Sequence, residues 1–462
     1  MLGTGLGHLI PIIAYLGFWV MCVVCLTGRP LLGLYYLIPF LPYRTMRDHF
    51  LQYPLGSNLI TILTLCVIVG GLIYGKRLPK TKLYAFWLLF GIYLYVSMWM
   101  GTALGNAPAP LWLSDPNFVN WKDYMLIPLV FVASGLVIDD RRAVRTVLII
   151  TAVALLFIDR SCILESMTRT WTSFDEDKRY GGPLGYGSNQ TAAFLAQFAM
   201  FFWGFAVVLR RKKAKLLTYV LVAATIFATM YTFSRGAYLA LLVSIFILSL
   251  LKDRKLLILL GVFLLTWQMV VPTAVRERVQ MTKTANGHLE ESAQERVDLW
   301  EDAENSILRN PIAGTGFATF QFGEHEDNLS DTHNWYLKVL VETGVIGFIM
   351  VLFMFQQLIS LPYRLFRSAE DPLYRGLGLG LLLAICCSMV ANFFGDRWTY
   401  LEITGLLWVL VAAAARAFEL ATTPARELLQ AATAAEIRVS GDPPELVDPW
   451  AQHQAKYRPV GK

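Results

Sequence analysis

T-H-N-W-Y-L-K-V-L-V-E-T-G-V-I-G-F-I-M-V-L-F-M-F-Q-Q-L-I-S, Thr332 through Ser360, passes without a break from a polar tripeptide into an apolar run. Crossing a hydrocarbon core takes ~20 predominantly apolar residues, and the run from 336 to 361 is long enough. Runs of the same kind recur at 9–26, 31–43, 59–74, 83–104, 123–138, 145–158, 190–209, 216–233, 237–251, 256–271, 376–394 and 401–417, the second and sixth along the chain being short. Of the 462 residues, 56% are hydrophobic and 16% charged, where a soluble domain carries roughly a quarter charged. The fold class expected is an all-α polytopic membrane bundle of about twelve or thirteen transmembrane helices, with a long, partly helical periplasmic loop.

Lysines and arginines mark the cytoplasmic side of such a bundle. They cluster at Lys76, Arg77, Lys80 and Lys82, at Arg141, Arg142 and Arg145, at Arg210 to Lys215, at Lys252, Arg254 and Lys255, and at Arg364 and Arg367. These are every second connection, as alternating topology demands. The intervening connections are mixed or acidic, so both long polar segments are expected to face outward. The divisions that follow are N-terminal transmembrane helices over 1–158, a periplasmic loop over 159–189, central transmembrane helices over 190–271, a large periplasmic loop over 272–335 bearing the active site, C-terminal transmembrane helices over 336–417, and a cytoplasmic, largely disordered tail over 418–462.

Several classes are disfavoured. No cleavable signal peptide is expected, because the first apolar run is itself a span. The net charge of +6 is accounted for by the basic connections, so no nucleic acid partner is expected. Internal repeats, matched broken helices and charges inside the spans are what a carrier or pump would show, and they are not evident. The six cysteines lie almost all in apolar runs and read as small hydrophobes.

Three polar constellations carry the chemistry. Arg179 stands in K-R-Y-G-G-P-L-G-Y-G-S-N-Q just before a span. Arg235, in Y-T-F-S-R-G-A-Y-L, occupies a very short turn between two apolar helices, where its guanidinium is suited to grip phosphate oxygens in bidentate fashion. In the third, R-V-D-L-W-E-D-A-E-N-S-I-L begins at Arg296 and reads as an amphipathic helix with Val297, Trp300, Ile307 and Leu308 apolar, lying on the membrane or capping the bundle. N-P-I-A-G-T-G-F then breaks it, with Gly314 and Gly316 permitting a tight turn that holds an anion or simply reverses the chain. Thr332 is expected to cap the helix that His333 opens. Glu342 lies about 180° around that helix from His333, so it is assigned to a helix contact beside Gly344 and Gly347. The acidic stretch with Glu324, His325, Glu326, Asp327 and Asp331 has the residue types of a divalent-cation site but is read as a solvated loop; no metal and no cofactor are expected.

S-R-G-A-Y-L, R-x-x-x-W followed by P-x-x-G-x-G-x-x-x-F, and H-N-x-x-L-x-x-x-x-E-x-G-x-x-G, in this order over roughly 190–350, resemble the O-antigen ligase / O-antigen polymerase superfamily of bacterial envelope glycosyltransferases. The resemblance implies metal-independent, inverting transfer of a glycan from an undecaprenyl-diphosphate-linked donor to an acceptor hydroxyl at the outer face of the bacterial inner membrane. It implies that His333 is the general base, that Arg235 binds the diphosphate, and that Arg296 and then Arg179 join it. Asn334 would orient His333, and Trp300, Gly314, Gly316 and Glu342 would support the site. Lipid A core, another glycan or a protein hydroxyl would each serve as acceptor, membrane lipids being the remaining partners. A protein O-oligosaccharyltransferase and a non-enzymatic lipid-linked glycan flippase are the alternatives; the flippase would need basic groups inside the spans.

Overall fold

A computed structural model describes residues 9–104, 107–169, 172–175, 179–252, 254–281, 291–322 and 332–440. In chain order the helices are α1 (Leu9–Leu26), α2 (Pro30–Leu37), α3 (Arg44–Asp48), α4 (Leu59–Ile73), α5 (Leu83–Ala103), α6 (Pro116–Val137), α7 (Arg141–Arg169) and α8 (Ser188–Val208). They continue with α9 (Lys212–Met230), α10 (Arg235–Leu251), α11 (Lys255–Val270), α12 (Thr273–Gln280), α13 (Glu291–Arg309), α14 (Trp335–Ser368), α15 (Pro372–Ala391) and α16 (Leu401–Ser440). No strand occurs among the described residues.

Each apolar run expected to span is a helix. Among the described residues nine are long and apolar enough to cross a membrane, and a tenth if α11 and α12, bent by 106° at their junction, count as one. Pro30–Phe40 and α10 are apolar but shorter, and α6 carries Lys122 and Asp123 within it. The short sixth run belongs to a 29-residue helix that continues past 158 to Arg169. Past 417, where the last span was expected to end, α16 runs on to Ser440.

Helices α8 and α15 and the Leu401–Thr423 part of α16 form the centre and are mostly buried, while α11 buries no residue and leaves Leu265 and Met269 about nine-tenths exposed. Apolar side chains facing outward from a helical bundle are what a hydrocarbon solvent requires. The tightest packing is between α8 and α15, where a Cβ at Gly204 would come within 2.9 Å of the Gly380 Cα, so the two backbones touch.

Helix α14 decides where the site sits. At Gly344 its backbone turns left-handed (φ 60°, ψ −167°) and the helix breaks. The segment Pro311–Gly316 fills the break. Thr315 and Gly316 donate their amides to the Val341 and Glu342 carbonyls at 2.8 and 3.0 Å, and Val345 and Ile346 donate to the Pro311 and Ile312 carbonyls at 2.9 and 3.2 Å. Ser97 and Tyr93 of α5 donate their hydroxyls to the Glu342 and Thr343 carbonyls at 3.3 and 2.6 Å. Donors and acceptors that a break strands in an apolar layer are thereby paired.

Only glycine fits at Gly344, because its φ is positive and a Cβ would run into the Ile312 carbonyl. Gly344→Ala is expected to cost about 1–3 kcal/mol and lower the melting temperature of the purified protein. Gly261→Ala, where nothing lies within 4 Å of the added atom, serves as the control and should melt like wild type. Equal melting of the two variants would refute the latch.

Candidate functional site

Arg235 is the first residue of α10, behind the turn Tyr231–Ser234 that closes α9. Phe233 in that turn has a positive φ of 57°. Arg179 holds the turn, donating from Nε and Nη2 to the Thr232 carbonyl at 3.2 and 3.0 Å and from Nη2 to Asn189 Oδ1 at 3.0 Å. It is not among the residues that line the gap described next.

That gap, about 30 Å³, is where three guanidinium side chains meet: Arg235, Arg278 and Arg296, with Asn189, Ser234 and Phe394 completing the wall. The expected pair Arg235 and Arg296 is therefore brought together. Arg278 was not singled out from the sequence. Its helix α12 turns back at Pro272 by 106° from the lipid-facing α11, which carries a buried arginine toward the α9–α10 turn. The Phe174 ring lies under its guanidinium, 4.8 Å away. The cue was V-V-P-T-A-V-R-E-R, a proline that ends an apolar run just ahead of basic residues.

Helix α13 presents Arg296 and, one turn on, Trp300. Residues four apart share a helix face. Trp300 Nε1 donates to the Thr332 carbonyl at 3.1 Å, so the helix that brings Arg296 to the gap is tied to the residue before His333. The helix packs as a cap on α14, though its buried face is Leu299, Ala303 and Ile307 against Phe320 and Val341, and Leu308 is exposed. This differs from the expected face of Val297, Trp300, Ile307 and Leu308, because the partner is protein and selects the small Ala303 for close approach.

His333 stands outside the helix it was expected to open. It is partly exposed, in the left-handed region at φ 50°, which histidine enters more readily than most residues. Asn334 is the cap, not Thr332: its Oδ1 accepts from the Tyr336 and Leu337 amides at 3.1 and 3.4 Å. The buried Thr332 instead closes the turn, its Oγ1 donating to the Asn334 carbonyl at 2.8 Å and accepting from the Asn334 amide at 3.3 Å. His333 is thus clamped on both sides, which fixes its backbone and limits its side-chain directions. Gly314 and Gly316 lie in the latch on α14; the Gly316 amide is engaged by the Glu342 carbonyl and the Gly314 amide by the Asn310 carbonyl at 3.1 Å, so the turn is architectural rather than anion-binding.

A second, much larger cavity of about 760 Å³ is lined by Trp335, Lys338 and Glu342 of α14 together with Tyr186, Tyr400 and Glu402. Glu342 lines this cavity and His333 does not; with His333 outside the helix, the expected relation of about 180° between them does not apply. Between gap and cavity runs N-F-F-G-D-R-W-T-Y, residues 392–400, which sequence reasoning passed over. Phe394 reaches the gap, and Thr399 and Tyr400 reach the cavity. Asp396, fully buried, accepts from Lys338 Nζ at 3.0 Å and from the Trp398 and Thr399 amides at 3.1 and 3.0 Å. Burial works to raise its pKa, but the Lys338 ammonium and these donors outweigh it and hold the carboxyl below the usual range.

Glu324, His325, Glu326, Asp327 and Asp331, like Lys178, lie outside the described residues. Among the described residues no group of three or more His, Cys, Asp or Glu side chains is placed to hold a metal ion.

Residues 220–352 match the family model described as O-antigen ligase. The match spans Arg235, Arg278, Arg296, His333 and Glu342, less than a third of the chain, and supports membership of the O-antigen ligase and polymerase superfamily. No curated protein matches the chain. The match and the nine apolar helices support a multi-pass membrane enzyme of glycosyltransferase type acting in O-antigen biosynthesis.

A lowered carboxyl pKa in the folded state adds stability above the unfolded value of ~3.9, and that contribution is lost as pH falls through the lower folded value. Wild-type protein should keep the Asp396–Lys338 contribution at pH 5 to 8 and lose it only below about pH 4. Asp396→Asn removes the buried carboxylate of the pair while keeping the Lys338 ammonium, an effect of about 3 kcal/mol for a buried pair. Thermal melts across pH should show the variant less stable at every pH above about 4, the two curves closing below it. A variant that melts like wild type at pH 7 would show that the pair contributes nothing.

Proposed function

We propose that this chain, which carries the O-antigen ligase domain over residues 220–352, transfers a glycan with inversion from an undecaprenyl-diphosphate-linked donor to an acceptor hydroxyl at the periplasmic face of the bacterial inner membrane. The observation that carries the reading is the joining of three arginines and a fixed histidine by one helix: α13 lends Arg296 to the gap and Trp300 to the His333 turn.

In the reaction the acceptor O–H gives its proton to an imidazole nitrogen of His333 as its oxygen bonds to the anomeric carbon. The bond from that carbon to the diphosphate oxygen breaks from the opposite face, and undecaprenyl diphosphate leaves with the electron pair. Imidazole, with an ordinary pKa near 6.5, suits a base at neutral pH. Arg235, Arg278 and Arg296 stabilise the negative charge that develops on the departing diphosphate. The first turn of α10 adds its helix N-terminus to that field. Arg179 serves the donor side by fixing the turn that bears Arg235.

The periplasmic assignment rests on the basic connections. Lys76 pairs with Asp139, Arg141 Nε with Asp371 Oδ2 at 2.5 Å, and Arg416 donates to the Ile138 carbonyl at 2.9 Å, so the basic connections after α4, α6 and α14 gather at one end. By helix alternation His333 and the arginines occupy the other. Retention of basic connections in the cytoplasm then leaves the site outside.

His333→Ala is expected to reduce transfer by about 10²–10⁴-fold, with lipid-linked donor accumulating on the outer face while mature surface glycan is lost. Arg278→Ala and Arg235→Lys should each lower it by ~10²-fold or more, the second because charge is kept and the fork is lost. Extracted lipid-linked glycan and mature polymer, measured separately in cells carrying each variant, check this. Undiminished product in His333→Ala removes His333 as the base. Donor trapped on the cytoplasmic face identifies a flippase instead.

A further inference from the structure

On α14 the lining of the large cavity begins two residues past His333. Trp335 and Lys338, two and five residues beyond the histidine, form part of its wall, whereas the arginine gap is reached from the histidine through Trp300 and α13. A base that takes a proton from the acceptor must have the acceptor on the side away from the leaving group. Helix α2 and the turn after it, Pro30–Phe40, are too short to cross a layer of ~30 Å, and α3, which follows, lends Arg44, Arg47 and Asp48 to the cavity wall.

The cations among the described lining residues are Arg44, Arg47, Lys122 and Lys338. The anions among them are Asp48, Asp123, Glu342 and Glu402, and Lys338 is already paired with the buried Asp396, so the described lining carries no excess of positive charge. Arg47 pairs with Glu402, Lys122 Nζ lies 3.5 Å from Asp123 Oδ1 and Arg44 Nε 4.0 Å from Asp48 Oδ1. A phosphorylated ligand entering this cavity would meet as many carboxylates as ammonium and guanidinium groups. A hydroxyl-rich ligand meets what it needs: carboxylates that accept from its O–H groups, cations that donate to its oxygens, and aromatic faces for its C–H surfaces. Tyr186 and Tyr400, both half-buried and with rings 4.5 Å apart, supply such faces, and the Arg44 guanidinium lies 4.7 Å from the Tyr186 ring. At about 760 Å³ the cavity falls within the ~300–1,000 Å³ of small-molecule sites and has room for a short oligosaccharide.

We infer that this cavity is the acceptor subsite and that it selects an uncharged saccharide end over a phosphorylated headgroup. The inference rests on the transfer reading above and sharpens it: the acceptor is the terminal sugar of a neutral glycan.

The test uses full-length protein in lipid nanodiscs. Saturation-transfer NMR follows binding of uncharged glucose, galactose and mannose trisaccharides and of their singly phosphorylated counterparts, and phosphorus NMR follows inorganic pyrophosphate. At least one uncharged trisaccharide should bind, and more tightly than its phosphorylated counterpart. Glu402→Gln and Ser57→Trp, the latter adding bulk at an exposed position on the cavity wall, should each weaken sugar binding by about ten-fold. Pyrophosphate binding should be unchanged in both, and melting curves confirm that Ser57→Trp folds. The inference is overturned if no sugar of the panel binds, if phosphorylated sugars bind more tightly, or if neither variant weakens binding. Loss of the donor reading appears separately, as pyrophosphate binding that is absent or indifferent to Arg235→Ala.

Discussion

The break in α14 is the constraint on which the rest of the site depends. A helix of 34 residues exceeds the ~20 needed to cross the apolar layer, and its break at Gly344 sets the first turns apart from the membrane-crossing part. Broken backbone in such surroundings survives only where every freed amide and carbonyl finds a partner. Residues 311–316 supply those partners by exchanging bonds with the helix on both sides of the break. That exchange pins the C-terminal side of α13 to α14, and the rest of the site is built on it: Leu299, Ala303 and Ile307 dock, Trp300 reaches the Thr332 carbonyl, and Arg296 comes to the gap.

Two kinds of rigidity meet at this point. His333 is held by local hydrogen bonds, from Thr332 on one side and the Asn334 cap on the other. The arginines are held by elements far apart in sequence: the α9–α10 turn, the bent α12 and the capping α13. Electrostatic catalysis depends on charges fixed before the reaction, since charges that must be gathered during it contribute less. Separate scaffolds around one gap provide that fixity without asking any single loop to carry every charge.

What was legible in the sequence follows from the range of each interaction. The spans were readable because hydropathy is a property of contiguous residues, and each of the apolar runs became a helix. Arg235 was readable because a very short turn leaves its side chain few places to go. Arg278 was not, because its position depends on a 106° bend whose outcome is decided by tertiary packing. Capping by Asn334 rather than Thr332 turned on the left-handed backbone at His333, which no local preference dictates. The α13 face was misread in part because a moderate apolar residue, Ala303, was worth more against Val341 than the larger Leu308. The large cavity was invisible, as its walls come from α3, α6, α14 and α16.

The loop 392–400 gives this arrangement its sense of direction. Its Phe394 closes the arginine gap against Gly236, its Thr399 and Tyr400 face the large cavity, and Asp396 and Arg397 are buried between. Asp396 is tied to Lys338 on the first turns of α14, so the wall between the two spaces is anchored to the helix that follows His333. Transfer between two ligands requires that each be excluded from the other's place while both reach one base. A rigid, folded partition whose ends belong to different spaces meets that requirement. On the proposed reading, the arginine-lined gap takes the donor diphosphate and the mixed-charge cavity takes the acceptor, with this partition between them.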